Sequence, residues 1–193
     1  MEDRPQLWFR LPPGYQQFDP AGLNPIRERA PEWAYALDEI FRHGTFYAAL
    51  GLHRTDVYEA VATSLFTLSS TRTLVSDPQV AAARALISRE GWVHWTAGTC
   101  ELRTVARTTA AAFTTGVLRC DDEGAATVCQ TACTFLIPGT PTLITATLTS
   151  SDLTQAEAYA EILSAVASTI SFEEPKHARA PRQPTSRIAE LIT

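Results

Sequence analysis

Four cysteines, four histidines and one acidic cluster are the residues of this chain best equipped for chemistry. Cys129 and Cys133 bracket "CQTAC", Cys120 adjoins Asp121, Asp122 and Glu123 in "CDDEG", and Cys100 stands apart. Thiols and carboxylates are the groups that hold metals, form disulfides or act as nucleophiles. On a strand, Cys129 and Cys133 share a face but lie roughly 13 Å apart, too far for a bond or a common ion. The cysteines therefore read as reduced, buried, structural thiols. The three acids beside Cys120 suffice to attract a cation weakly, but acids followed by glycine are also what a solvated hairpin tip requires.

His43, His53, His94 and His177 have no metal-like spacing. His53 and His94 fall in or near predicted strands; with the 120–123 acids they are the groups on which an enzyme of non-standard design would draw. Partly buried, hydrogen-bonded histidines are the plainer reading. The chain has no G-x-S-x-G elbow, Gly-rich phosphate loop, C-x-x-C or H-E-x-x-H. No catalytic residue, metal ligand or cofactor is assigned.

Binding is the other kind of chemistry. Arg103, Arg107 and Arg119 lie on predicted strands, and Arg103 and Arg107, four apart, share a face that suits an anion or a protein partner. A solvated sheet face would carry the same residues. Trp92 and Trp95 point to opposite sides of "WVHW" and do not form a platform for bases; they and Trp8 and Phe9 read as packing residues. Trp33, Phe46, Tyr47 and Trp95 are candidates to line a small-molecule pocket between sheet and helices.

Bulk properties narrow the classes. The 193 residues are 45% hydrophobic and 19% charged, a globular composition with enough chain for one core and a radius of gyration of about 16 Å. A net charge of −5 argues against a general nucleic-acid binder, which must displace counterions from phosphates. "MEDRPQLWFRLPPGY" lacks the basic patch and apolar run of a signal peptide, and no apolar stretch approaches the roughly 20 residues that span a bilayer. A cytoplasmic protein with no membrane partner is expected.

The elements that must position these residues begin with "QLWFRL" (6–11), read as a short strand stopped by "PPG", followed by an irregular stretch from 12 to 30. Pro31 opens a helix whose Trp33, Leu37, Ile40 and Phe41 share one face. Strands 45–53 and 58–70 are joined by "RTDV". Residues 76–91 form a short helix with Ser76 or Asp77 as cap and Pro78 just inside. "WVHW" is a short strand and "ELRTVARTTAAAF" a second. "TTGVLRC" and "AATVCQTACTFLI" make a hairpin across "DDEG".

"TLITATLTSSDLTQAEAYAEILSAVASTISF" is the clearest passage. Alternation from Leu143 to Thr149 predicts a strand, with Ile144, Ala146 and Leu148 on its more apolar face. Thr154 and Glu157 fit a capping box. Tyr159, Ile162, Leu163, Val166 and Ile170 form a helical stripe, and a returning strand follows. Thr-rich strands with an exposed edge also allow pairing with a second copy, as a two-fold homodimer.

Residues 1–172 thus make one α+β domain, a single antiparallel β-sheet flanked by helices. Residues 173–193 form a basic, proline-punctuated tail. Lys176, Arg179, Arg182 and Arg187 are unopposed by acids in 176–187; without them the rest of the chain carries −9. Ile188, Leu191 and Ile192 fall at i, i+3 and i+4, one short helical turn too small to stand alone in water. Arg103, Arg107, the three tail arginines and these three apolar residues are the candidate partner-binding residues.

The order of elements, with "FRLPPGY", "FYAALGLHR" and the closing "TFLIPGTPTLITATLTSSDL…AYAEILSAVASTISF", resembles the PsbP-like superfamily, which includes the Ran-binding Mog-type proteins. The likeness is greatest to its actinobacterial members, and 15 arginines to one lysine agree with a high-GC genome. The resemblance spans about residues 6–172. It implies an α/β/α sandwich used as a non-catalytic scaffold for binding another protein. The missing catalytic motifs, the acidic body and the basic tail lead to the expectation of an adaptor, a secretion-associated chaperone or an immunity-type partner. A small-molecule-binding protein is the alternative.

Overall fold

Threonine, β-branched and aromatic residues are frequent in the stretches 45–54, 61–72, 93–105, 109–120, 127–136 and 142–150, and in the computed structural model of the chain these become sheet. The structure describes residues 6–18, 44–54, 61–87, 93–120 and 127–174, with side chains for all of these except 53, 54, 61, 93–97, 119 and 120. The predicted helix at Pro31 with Trp33, the "RTDV" and "DDEG" turns, and the tail from 175 lie outside the described residues.

Seven strands form one antiparallel sheet: β1 (Tyr15–Gln17), β2 (Thr45–Arg54), β3 (Val61–Arg72), β4 (Val93–Val105), β5 (Thr109–Cys120), β6 (Thr127–Leu136) and β7 (Thr142–Ser150). Their spatial order is β1-β2-β3-β7-β6-β5-β4. Two up-and-down runs, β1 to β3 and β4 to β7, are therefore joined where β3 pairs with β7. Helix α1 (Pro78–Ile87) connects the runs, and helix α2 (Ala156–Ser168) follows β7.

Period-two alternation decides which face each residue serves. Register places Tyr47, Leu68, Ala146, Cys133, Phe113 and Glu101 in one row across the first face. The next row holds Ala49, Phe66, Leu148 and Thr131. The small side chains at Ala146 and Cys133 let α2 approach the middle of the sheet, where Tyr159, Leu163, Val166 and Ala167 are buried. The predicted stripe is thus the packing face, and each fully buried large apolar side chain there contributes about 1.5–3 kcal/mol before entropy is subtracted. Helix α1 touches β4, β5 and β6. The first face over β4 and β5 is open at exposed Glu101 and Arg103, so α1 covers the opposite face, above buried Ala112, Leu118 and Leu136. Its own buried residues, Ala81 and Ala82, are small enough for close approach.

Several sequence expectations are corrected. Residues 6–11 are not a sheet strand: Trp8 alone forms a bridge, to Ser171, through two reciprocal backbone bonds of 2.9 Å. Leu7, Phe9 and Leu11 instead pack on the core beside α2, and Phe9 meets Tyr47 edge-on at 5.0 Å. Gly14, at φ +99°, then reverses the chain, so β1 falls inside the stretch expected to be irregular. The returning strand after α2 shrinks to the same single bridge. "VHW" and "ELRTV" belong to one strand, Val93–Val105, and "ELRTVARTTAAAF" is cut by a turn at 106–108. Ala106 and Arg107 adopt positive φ there (46° and 70°) without glycine or asparagine, so no turn signal announces it.

The helix starts follow local chemistry. Asp77 caps α1 as expected, its Oδ1 accepting from Gln79 N at 2.7 Å and Val80 N at 3.1 Å. The predicted Thr154–Glu157 capping box does not form. Asp152 Oδ1 accepts from both Thr154 N and Thr154 Oγ1, at 3.0 and 2.6 Å, and a 3₁₀ turn at Leu153–Gln155 precedes α2. Asp152 takes the Thr154 amide that the Glu157 side chain would have accepted in the box, and holds the Thr154 hydroxyl as well.

Leu163→Ala is expected to lower unfolding stability by about 2–5 kcal/mol in denaturant titration, whereas Leu74→Ala, at a fully exposed position, should shift it by less than about 0.5 kcal/mol. Gly44 sits at φ +73° with the Ser70 carbonyl oxygen 2.6 Å from where a Cβ would stand. Gly44→Ala should therefore lose about 1–3 kcal/mol although its surroundings are exposed.

Candidate functional site

Ser64 and Ser150 lie on the buried face of β3 and β7, in phase with Phe66 and Leu68 and with Ala146 and Leu148. A buried hydroxyl must be hydrogen-bonded or it costs free energy. Ser150 Oγ donates to the Thr63 carbonyl at 2.7 Å, accepts from Asp152 N at 3.1 Å and lies 3.2 Å from the Tyr159 hydroxyl. One proton and two lone pairs serve these three neighbours. Ser64 Oγ pairs with the Tyr15 hydroxyl at 2.9 Å. Cys129 Sγ shares its proton between the carbonyls of Ser150 and Asp152, at 3.4 and 3.3 Å. Strands β1, β3, β6 and β7 and the start of α2 thus converge on one cluster of hydroxyls and a thiol.

This cluster is the strongest concentration of polar groups among the described residues, and its electrostatics define its chemistry. Burial raises the pKa of Tyr159, with its hydrogen bond to Ser150 opposing it. Burial likewise raises Tyr15, against its hydrogen bond to Ser64. The Cys129 thiol is also raised, mainly by desolvation. Burial pushes Cys133 up to about 12, the nearby Arg103 guanidinium offsetting only part. A nucleophile or general base requires the opposite, a depressed pKa or an adjacent base. These hydrogen bonds tie β3, β6 and β7 to the start of α2.

Arg103 is the predicted partner residue with the fullest surroundings. Its guanidinium lies 4.6 Å over the Phe113 ring, donates to Ser164 Oγ of α2 at 2.9 Å, and pairs with Glu101. It braces α2 on the open flank of the first face while remaining half exposed. Arg107 lies in the 106–108 turn, so the two arginines do not share the strand face the sequence suggested. Arg179, Arg182, Arg187, Ile188, Leu191 and Ile192 lie outside the described residues.

Other candidates are dispersed. His53 on β2 and His94 on β4 are separated by four intervening strands, about 24 Å at ordinary strand spacing. Among the described residues no three His, Cys, Asp or Glu side chains converge to hold a metal ion. Cys129 and Cys133 are buried and form no disulfide, as the sequence indicated, but Cys100 is exposed, contrary to expectation, because it falls on the outermost strand. Of the proposed pocket residues, Phe46 and Tyr47 are half-buried against the core. The apolar seam between Leu7, Phe9, Phe66, Leu163 and Ile170 has no room for a water molecule. Among the described residues no helix is long and apolar enough to cross a membrane. No family model matches the chain, and no curated protein matches it.

The sequence reading missed the hydroxyl cluster, although a signal was present. Ser64 and Ser150 extend the apolar phase of their strands by one more period, which marks them as buried polar residues needing partners.

Ser150→Ala leaves Asp152 N and the Thr63 carbonyl short of a partner and is expected to lower stability by about 1–3 kcal/mol, measured by chemical denaturation. Thiol alkylation of the native chain at pH 8 should modify Cys100 and spare Cys129 and Cys133, all four cysteines of the chain reacting after unfolding. The folded pKa of Cys133 lies above its unfolded value, so the folded state holds the extra proton between about pH 9 and 12. Stability is complete below pH 9 and falls as pH rises through that window, by up to about 1.4 kcal/mol per unit for this group. Cys133→Ala should flatten that alkaline decline.

Proposed function

We propose that this chain is a non-catalytic protein-binding module of the cytoplasm, an adaptor, secretion-associated chaperone or immunity-type partner built on a PsbP-like α/β/α sandwich. The sandwich reading draws support from seven antiparallel strands with α1 and α2 against opposite faces. The observation that carries the functional reading is the contrast between interior and surface. The seam between sheet and α2 is filled, and the buried polar groups beside it are held neutral. Meanwhile Leu50, Leu52, Val80, Ile87 and Leu102 stand exposed, Ile87 at 80%. Interaction chemistry in such a molecule belongs to its outer surface.

The basic tail supplies a second, oppositely charged element. Arg179, Arg182 and Arg187 would steer an acidic partner, and Ile188, Leu191 and Ile192 would fill an apolar groove once ordered by it. Affinity capture with the full chain from its source cell is expected to recover a stoichiometric protein partner. Removal of residues 176–193 should weaken that capture at least about tenfold. Recovery of no stoichiometric partner by either form would overturn the reading.

A further inference from the structure

The two rims of the sheet are built differently. β1 has three residues, whereas β4 has thirteen and forms the opposite edge. Natural edges are blunted by short strands, prolines, charges left without a mate, bulges or a covering loop. In β4 the register irregularity is confined to Trp95–Ala97, and the stretch from Gly98 to Val105 contains neither proline nor lysine. Every side chain from Thr99 to Thr104 is exposed, on both faces, and Leu102 is 57% exposed. A regular, open strand of this length is a template for another strand.

We propose that the strand it takes is β4 of a second copy, antiparallel, on a two-fold axis passing beside Leu102. In that register Leu102 faces Leu102, Cys100 faces Thr104, and Thr99 faces Val105. Glu101 of each copy faces Arg103 of the other. Two-fold symmetry requires the axis to lie at a residue position, which leaves few choices. Centring on Glu101 or Arg103 opposes like charges, and centring on Cys100 sets Glu101 against Thr99 and Leu102 against Gly98. Centring on Leu102 places both acids opposite both bases and covers the exposed leucine with its own mate. Directly opposite side chains lie within about 5.5 Å, close enough for opposite charges to favour one register and like charges to oppose another. Glu101 and Arg103 already pair within one copy, and Ser164 and Phe113 hold the guanidinium in place, so the four charges are ordered before the copies meet. The result is an isologous dimer with one continuous sheet.

Sedimentation of the full chain between about 1 and 100 µM is expected to show twice the 21.1 kDa chain mass. Glu101→Arg opposes arginine to arginine twice and should raise the dimer dissociation constant at least about tenfold, with the far-UV circular dichroism of the folded chain unchanged. Adding Arg103→Glu should restore the dimer. Leu102→Cys in a Cys100→Ser background, which leaves both charges in place, should cross-link to itself on oxidation. It keeps the test decisive if the double reversal weakens the brace on α2. A monomer throughout the range overturns the inference, as does a dimer indifferent to Glu101→Arg that forms no Leu102→Cys cross-link. The inference goes beyond the proposed function: a monomer that still captures another protein ends this proposal alone.

Discussion

Strands β3 and β7 run antiparallel through eight residue pairs, from Leu65–Thr149 to Arg72–Thr142. Among the described residues no other strand pairing joins the first three strands to the last four. The partners are distant in sequence, so closing the loop between them opposes folding until side-chain burial offsets the lost freedom. Burial does so on one face: Phe66 meets Leu148 and Leu68 meets Ala146, and the continuous apolar surface they create is the bed for α2. On the other face Thr67 and Thr147 join hydroxyls across the same pair, and Thr134 joins Thr145 one strand further on. With the seam unzipped, α2 would lose Phe66 and Leu68 from beneath it, and Phe9 would be left with Tyr47 and Phe66 alone.

How much of this was legible depended on whether the information was local. The strand Thr142–Ser150, the stripe on α2, the Asp77 cap and the β5–β6 pairing were readable because period and cap chemistry reside in consecutive residues. The β4–β5 turn was not, since Ala106 and Arg107 take left-handed backbone angles that neither residue type advertises. Residues 6–11 misled for a different reason. Alternation at Leu7, Phe9 and Leu11 is a true signal of one apolar side, but it is equally satisfied by an extended segment lying across a core. The capping box failed because Asp152, two residues upstream, occupies the Thr154 amide and hydroxyl that the box needs. As for the candidate site, the arginines were found as residue types, but their grouping rested on a strand that the turn divides. The serine–tyrosine cluster needed register across four strands, which no single stretch of sequence contains.

The polar interior and the arginine brace solve related problems. Ser150 fastens the start of α2 to the sheet with neutral hydrogen bonds in a buried place, where an ion would be costly. Arg103 steadies the same helix near Ser164, where solvent still reaches the guanidinium and the charge remains hydrated. Neutral ties inside and a charged tie at the margin follow the dielectric gradient from core to surface. A helix secured at both places presents its outer side as a rigid surface.

The reciprocal bridge between Trp8 and Ser171 has a mechanical consequence. It fastens the first described segment to the last with two backbone bonds and little else of regular ladder. Tension applied across these two segments would load that pair in a peeling geometry, one bond after the other, before reaching the seven-stranded body. The molecule would therefore yield in two stages, releasing a short tether at low force and resisting strongly thereafter.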